Sequence, residues 1–156
     1  MKKRLSACLL AIVSLFLVFT LTGCSNANLG VTIFVSTPDA VIDENGSYTT
    51  KEDVALYLDT YGQLPDNFIT KKEAQALGWE GGALEPYAPG MCIGGDYFGN
   101  YEGLLPETDT REYHECDIDT LGADSRGAKR IVYSNDGLIY YTEDHYNSFD
   151  LLYGEE

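Results

Sequence analysis

The feature that most narrows the fold of this chain is a change of periodicity at Trp79. Ahead of it, Val54, Tyr57, Leu58 and Tyr61 fall at i, i+3, i+4 and i+7, the spacing of an amphipathic helix. Thr49 or Thr50 is available as N-cap and Gly62 as the stop. Thr70 and Glu73 form a capping-box pair that opens a second, shorter helix from about Lys71 to Leu77, with Gly78 near its end. Behind Trp79 the apolar residues come in runs of strand length and composition, at 91–98, 111–118, 129–134, 137–142 and 146–152. Asn135-Asp136-Gly137 between two of them is a hairpin signal, because Asp-Gly tolerates the positive φ angles of a tight turn. Helices first and strands afterwards predict an α+β fold, with N-terminal helices packed on a twisted antiparallel sheet.

A chain of 156 residues holds one ordinary domain and an export segment. Lys2, Lys3 and Arg4, an apolar run from about Leu9 to Phe19, and Leu21-Thr22-Gly23-Cys24 have the layout of a bacterial secretory signal. The last four residues resemble a lipobox, which would make Cys24 the lipidated first residue of the mature protein. The expected organisation is a lipoprotein signal peptide over 1–23, a tether over 24–48 and a catalytic domain over 49–156. That domain would lie outside the cell, held to the membrane by its N-terminal lipid. The run Val31-Thr32-Ile33-Phe34-Val35 within the tether is either part of the spacer or an added edge strand.

With Cys8 removed and Cys24 lipidated, Cys92 and Cys116 remain in an oxidising compartment, as a candidate disulfide or as two buried thiols. The chain carries 25 Asp and Glu against 10 Lys and Arg. A generic polyanion binder is excluded by that balance, since phosphate affinity comes from cationic neutralisation. Any nucleic-acid chemistry must rest on a local basic cluster.

Glu115 alternates onto one strand face with Tyr113 and Asp117, while His114, Cys116 and Ile118 take the other. A carboxylate there, the imidazole of His145 and the cations Arg126 and Arg130 are the groups needed to cleave RNA through its own 2′-hydroxyl: a base, an acid and phosphate clamps. His114 points away from that face and reads as structural. No cluster has metal-ligand spacing, and there is no Walker loop or G-x-S-x-G, so neither metal nor cofactor is expected.

The stretches LDTYGQLPDNFITKKEAQALGW, APGMCIGGDYFGNYEGLLP and KRIVYSNDGLIYYTEDHYNSF together resemble the barnase-type family of small guanyl-preferring bacterial ribonucleases. The likeness covers about residues 50–152 in collinear order, with one extra residue between Glu115 and Arg126. It implies Glu115 as general base, His145 as general acid, Lys71 as transition-state stabiliser, and Arg126 and Arg130 as phosphate ligands. It also implies a substrate-binding set of Asp96 beside that lysine, Phe98 and Tyr146 for base stacking, and the loop of Asn100, Tyr101 and Glu102 for guanine. A monomer acting on RNA without metal follows, as does an inhibitor protein resembling barstar as partner.

Three departures stand out. Tyr101 replaces an arginine of the family and Ser125 a phenylalanine, and the chain is acidic where the type member is basic. A catalytically weak surface-binding module that reuses the fold is the alternative. The intact set of Glu115, His145, Lys71, Arg126 and Arg130 argues for the enzyme.

Overall fold

A computed structural model describes residues 41–156. The signal segment, Cys24 and the 31–35 run lie outside the described residues. Helix α1 (Lys51–Tyr61) starts at Thr50, whose side chain accepts from the Asp53 N–H, and ends at Gly62 in the left-handed region at φ 68°. Helix α2 (Lys71–Ala76) has the full capping box: Thr70 accepts from the Glu73 N–H, and Glu73 reaches back to the Thr70 N–H. The strands are β1 (Phe68–Ile69), β2 (Cys92–Phe98), β3 (Tyr113–Asp117), β4 (Arg130–Ser134), β5 (Ile139–Thr142) and β6 (Asp150–Tyr153). They form one sheet in the order β1 to β6, antiparallel except for the β1–β2 pair, which is parallel.

Strand alternation divides the interior between the two faces of this sheet. On one face, Val54, Ala55 and Leu58 of α1 pack against Cys116, Ile118, Ile131, Ile139 and Tyr141. On the other, Leu105, Tyr113, Val132, Leu138 and Tyr140 form a second cluster with Phe98, Tyr146 and Phe149 along its edge. Ile131 and Val132 are adjacent in β4, both wholly buried, and serve opposite faces. Each such side chain removed from water contributes about 1.5–3 kcal/mol. A third cluster of Ala74, Trp79, Leu84, Ala88 and Ile93 fixes α2 against β2.

The structure corrects the sequence reading at several places. The packed domain begins near Ile42 rather than at residue 49. Ile42 is buried, Tyr61 donates to its carbonyl at 2.7 Å, Tyr57 donates to the Glu44 carbonyl at 2.8 Å, and Asn67 bonds both backbone groups of Tyr48. The last strand starts at Asp150, because residues 143–149 are committed to a turn described below. Strand β1 is two residues long, too short for alternation to reveal.

The candidate disulfide is also corrected. Cys92 and Cys116 are free and buried. The register sets Gly94, not Cys92, opposite Cys116, while Cys92 pairs with Phe68. Burial pushes the Cys116 thiol well above its usual range. A thiol reagent is therefore expected to modify these two cysteines only after denaturation, which mass spectrometry with and without guanidinium would check.

The Gly94-Gly95 pair does the remaining work of aligning the sheet. A Cβ on Gly94 would stand 2.7 Å from both Cys116 Cβ and a Phe68 ring carbon, so no larger residue fits between the strands. Gly95, at φ 90°, forms a bulge, after which Asp96 stands opposite Glu115.

Candidate active site

On the sheet face away from α1, a cleft of about 310 Å³ is lined by Lys71, Phe98, Tyr101, Glu102, Glu115, Arg126, Arg130, His145 and Tyr146, with Tyr97, Gly99 and Asn100. The residues come from α2, β2, β3, β4 and three loops. Every expected catalytic side chain borders it.

Glu115 sits at the floor, 7% exposed. The Lys71 ammonium donates to one carboxylate oxygen and the Tyr146 hydroxyl to the other. Burial pushes this carboxyl upward, but the bonds from Lys71 and Tyr146, with the charges of Lys71 and Arg130, outweigh it and leave the group below the usual carboxylate range. Glu115 is thus an ionised, aimed acceptor at neutral pH. For Tyr146 burial and the bond to Glu115 act together and raise the phenol well above its normal value, so it remains a donor.

The two arginines are held by a residue that sequence reasoning left unassigned. Asp117, 1% exposed, accepts two bonds from Arg126, at 2.6 Å from Nε and 2.7 Å from Nη2, and pairs with Arg130 Nε at 2.9 Å. Arg130 donates further to the carbonyls of Lys129 at 2.6 Å, Gly127 at 3.1 Å and Arg126 at 3.2 Å. Arg126 also lies over the Trp79 ring at 5.7 Å, which ties it to the α2 cluster. The signal in the sequence was the i, i+2 spacing of Glu115 and Asp117, which puts both carboxylates on one face.

His145 is exposed at the rim, in a turn built around another unassigned residue. The Asp144 carboxylate accepts from Thr142 Oγ1 at 2.9 Å, from the N–H groups of Asn147 and Ser148 at 3.1 and 3.0 Å, and from Ser148 Oγ at 2.6 Å. His145 and Tyr146 are both left-handed, at φ 58° and 72°. Non-glycine residues there cost about 1–3 kcal/mol each and persist only where the surroundings over-determine them. The Asp144 bonds do so, and they aim the imidazole and the Tyr146 phenol at one cleft.

The expected substrate contacts divide. Phe98 stacks on Tyr146 with centroids 5.2 Å apart and borders the cleft. Tyr101 is 91% exposed and Glu102 is exposed, so both are open to a ligand. Asn100 is buried and its amide is consumed in the loop: it donates to the Leu105 carbonyl and Glu107 at 2.9 Å each and accepts from the Leu105 N–H at 3.1 Å. Asp96 does not border the cleft. The Gly95 bulge turns its carboxylate toward α2, where it accepts from the Lys71 N–H at 2.9 Å and so fixes the start of the helix that carries the Lys71 ammonium.

A carboxylate, an imidazole and three cations around one small cleft are equipped to move protons about a phosphodiester, which is the work of a nuclease. Comparison with known proteins agrees: the ribonuclease family model matches residues 51–153. The ribonuclease of Heyndrickxia coagulans is 51% identical over 102 residues, covering 64% of this chain and 93% of that one. The ribonuclease of Bacillus intermedius is 51% identical over 102 residues, 64% of this chain and 62% of that one. Guanyl-specific ribonuclease St of Saccharopolyspora erythraea is 47% identical over 57 residues, 36% of this chain and 56% of that one. The chain spans less than two thirds of the latter two proteins. It belongs to the ribonuclease family.

Proposed function

We propose that this chain is an endoribonuclease that cleaves single-stranded RNA after guanosine, without metal, by transesterification. The carboxylate of Glu115 takes the proton of the 2′-hydroxyl, the 2′-oxygen attacks phosphorus, and the 5′-oxygen leaves with a proton from His145. The product is a 2′,3′-cyclic phosphate. Water then adds with the roles of the two groups exchanged. Lys71, Arg126 and Arg130 steady the charge that grows on the phosphoryl oxygens. The observation that carries the reading is the meeting of Glu115, from β3, and His145, from the turn before β6, in one cleft with those three cations.

Guanine preference is assigned to Glu102, whose carboxylate accepts from the N1 and N2 donors of the base, with loop amides facing O6. A site of this kind rejects bases that lack the donors, because its own polar groups would be left unpaired. Tyr101 contributes an exposed ring where the family carries a cation. The enzyme is placed outside the cell, anchored through a lipid on Cys24, and a barstar-like inhibitor would cover the cleft.

The test is incubation of the purified chain with guanosine-containing dinucleotides, following the cyclic phosphate by chromatography, with and without EDTA. Undiminished turnover in EDTA is expected. Loss of turnover with the chelator would reject the metal-free route, and cleavage of a deoxy dinucleotide would reject the 2′-hydroxyl.

Charge sets a further expectation. Lys71, Arg126 and Arg130 face Glu115 and Asp117, so the cleft is close to neutral before Glu102 is counted. Outside it, Lys51, Arg111 and Lys129 are paired with Glu52, Asp136 and Asp119, on a chain of net charge −15. Long-range steering of RNA is therefore repulsive. The kcat/KM for polymeric RNA should rise from about 10 mM to about 150 mM salt as the Debye length contracts. A monotonic fall over that range would show that the cleft field dominates instead.

A further inference from the structure

On the sheet face opposite the cleft, α1 packs on β5 and β6 and leaves part of the sheet uncovered beyond its last turn. A cavity of about 540 Å³ opens there between the end of α1 and strands β2 to β5. It is larger than the catalytic cleft and within the usual range of small-molecule sites. Leu58, Leu64 and Ile139 supply apolar wall. His114 and Tyr133 supply aromatic wall, their rings 5.8 Å apart and inclined by 31°.

The charge character of this cavity is negative. Asp59 and Gln63 stand exposed on its rim. The last turn of α1 contains no basic residue, so the negative end of the helix is uncompensated where the cavity begins. His114 Nδ1 lies 3.1 Å from the Gly95 carbonyl and donates to it, which fixes the plane of the ring on the cavity wall. A ligand that fits must bring donors and positive charge, together with a flat apolar body.

The geometry points to a second ligand site here, for an aromatic ring bearing a protonated amine. The ring lies between the aliphatic wall and the His114–Tyr133 pair, and the ammonium lies at the rim against Asp59 and the end of α1. An anion on the same ring meets like charge at Asp59 and at the negative end of α1, with only neutral donors such as the Tyr133 hydroxyl and the Gln63 amide to offset it. Such a ligand touches the strands that carry the catalytic face, since His114 precedes Glu115 in β3 and Gly95 precedes Asp96 in β2.

Tryptamine is a suitable probe, with 3-indolepropionate as its anionic counterpart, each titrated into the full chain and followed by backbone amide NMR. Tryptamine should give saturable shifts at Gly95, His114 and Gly137 and none at Tyr101 and Glu102. The anion should bind roughly tenfold more weakly or less. Asp59→Lys, at an exposed helix position, should weaken tryptamine by roughly tenfold, and Asp59→Asn by a smaller factor in the same direction, with RNA cleavage and the remaining amide spectrum unchanged. Shifts that do not saturate, shifts confined to the cleft loop, equal binding of the two indoles, or wild-type affinity in both Asp59 variants would each overturn the assignment.

Discussion

Glu115→Ala and His145→Ala are each expected to lower kcat/KM for a guanosine-containing dinucleotide by roughly 10² to 10⁴, the usual yield of a positioned acid or base. The two groups act on one proton-transfer sequence, so the double variant should be little worse than the poorer single one. The pH profile separates their roles. A base works only when deprotonated, and the bonds from Lys71 and Tyr146 hold the Glu115 carboxyl below its usual range. Activity should therefore persist below about pH 4.3, the ordinary value for glutamate, and fail as pH drops through the lower folded value. The same sign governs stability. A carboxyl depressed by folding stabilises the native state above its unfolded pKa, and that contribution disappears as pH falls through the folded one. In the Glu115→Ala variant the acid limb assigned to this group should vanish along with most of the rate. Retention of more than a tenth of wild-type kcat/KM in either single variant would remove that residue from the mechanism, and an unchanged acid limb in Glu115→Ala would assign the limb elsewhere.

Both helices and most strands were legible because their signals are local. Thr50, Thr70, Glu73 and Gly62 are capping residues whose chemistry depends on near neighbours, and the structure uses each in that way. Alternation in β3 put Glu115 and Cys116 on opposite faces, and they line a cleft and an α1-facing core respectively. What escaped depends on register. The pairing beyond the Gly95 bulge sets Gly94 rather than Cys92 opposite Cys116, and the bulge itself sets Asp96 opposite Glu115, on the side where its carboxylate supports the helix of Lys71 as the resemblance implied. The 146–149 segment has strand composition, yet the Asp144 carboxylate captures its N–H groups and turns it away from the sheet. A side chain that competes with ladder bonds is hard to foresee from composition. Ile42 and Tyr48 read as tether because their partners, Tyr61 and Asn67, lie 19 residues away in sequence.

Asp117→Ala, beneath the two arginines of the cleft, should produce the largest loss of stability among substitutions in or next to the cleft, about 3 kcal/mol. Removing one partner of a buried ion pair ordinarily costs 3–5 kcal/mol because the remaining charge is left uncompensated. Here the consequences for the two arginines differ. The Arg130 side chain is 3% exposed and cannot reach water, though it keeps its bonds to three backbone carbonyls, which limits the penalty. Arg126 is 23% exposed and can swing outward, which relieves its charge but abandons its aim at the cleft. Thermal unfolding should therefore fall by about 10 °C for a domain of this size. Catalysis should lose kcat more than KM, since Arg126 in solvent still attracts a phosphate without holding it in the reactive position. Asp117→Asn distinguishes positioning from packing. It keeps the shape and one acceptor, so stability should recover in part while kcat stays low, because a single neutral oxygen cannot hold two guanidinium groups in the geometry set by the carboxylate. If Asp117→Ala unfolds within 1 kcal/mol of wild type, or if Asp117→Asn restores kcat in full, the carboxylate is not what aligns the two arginines.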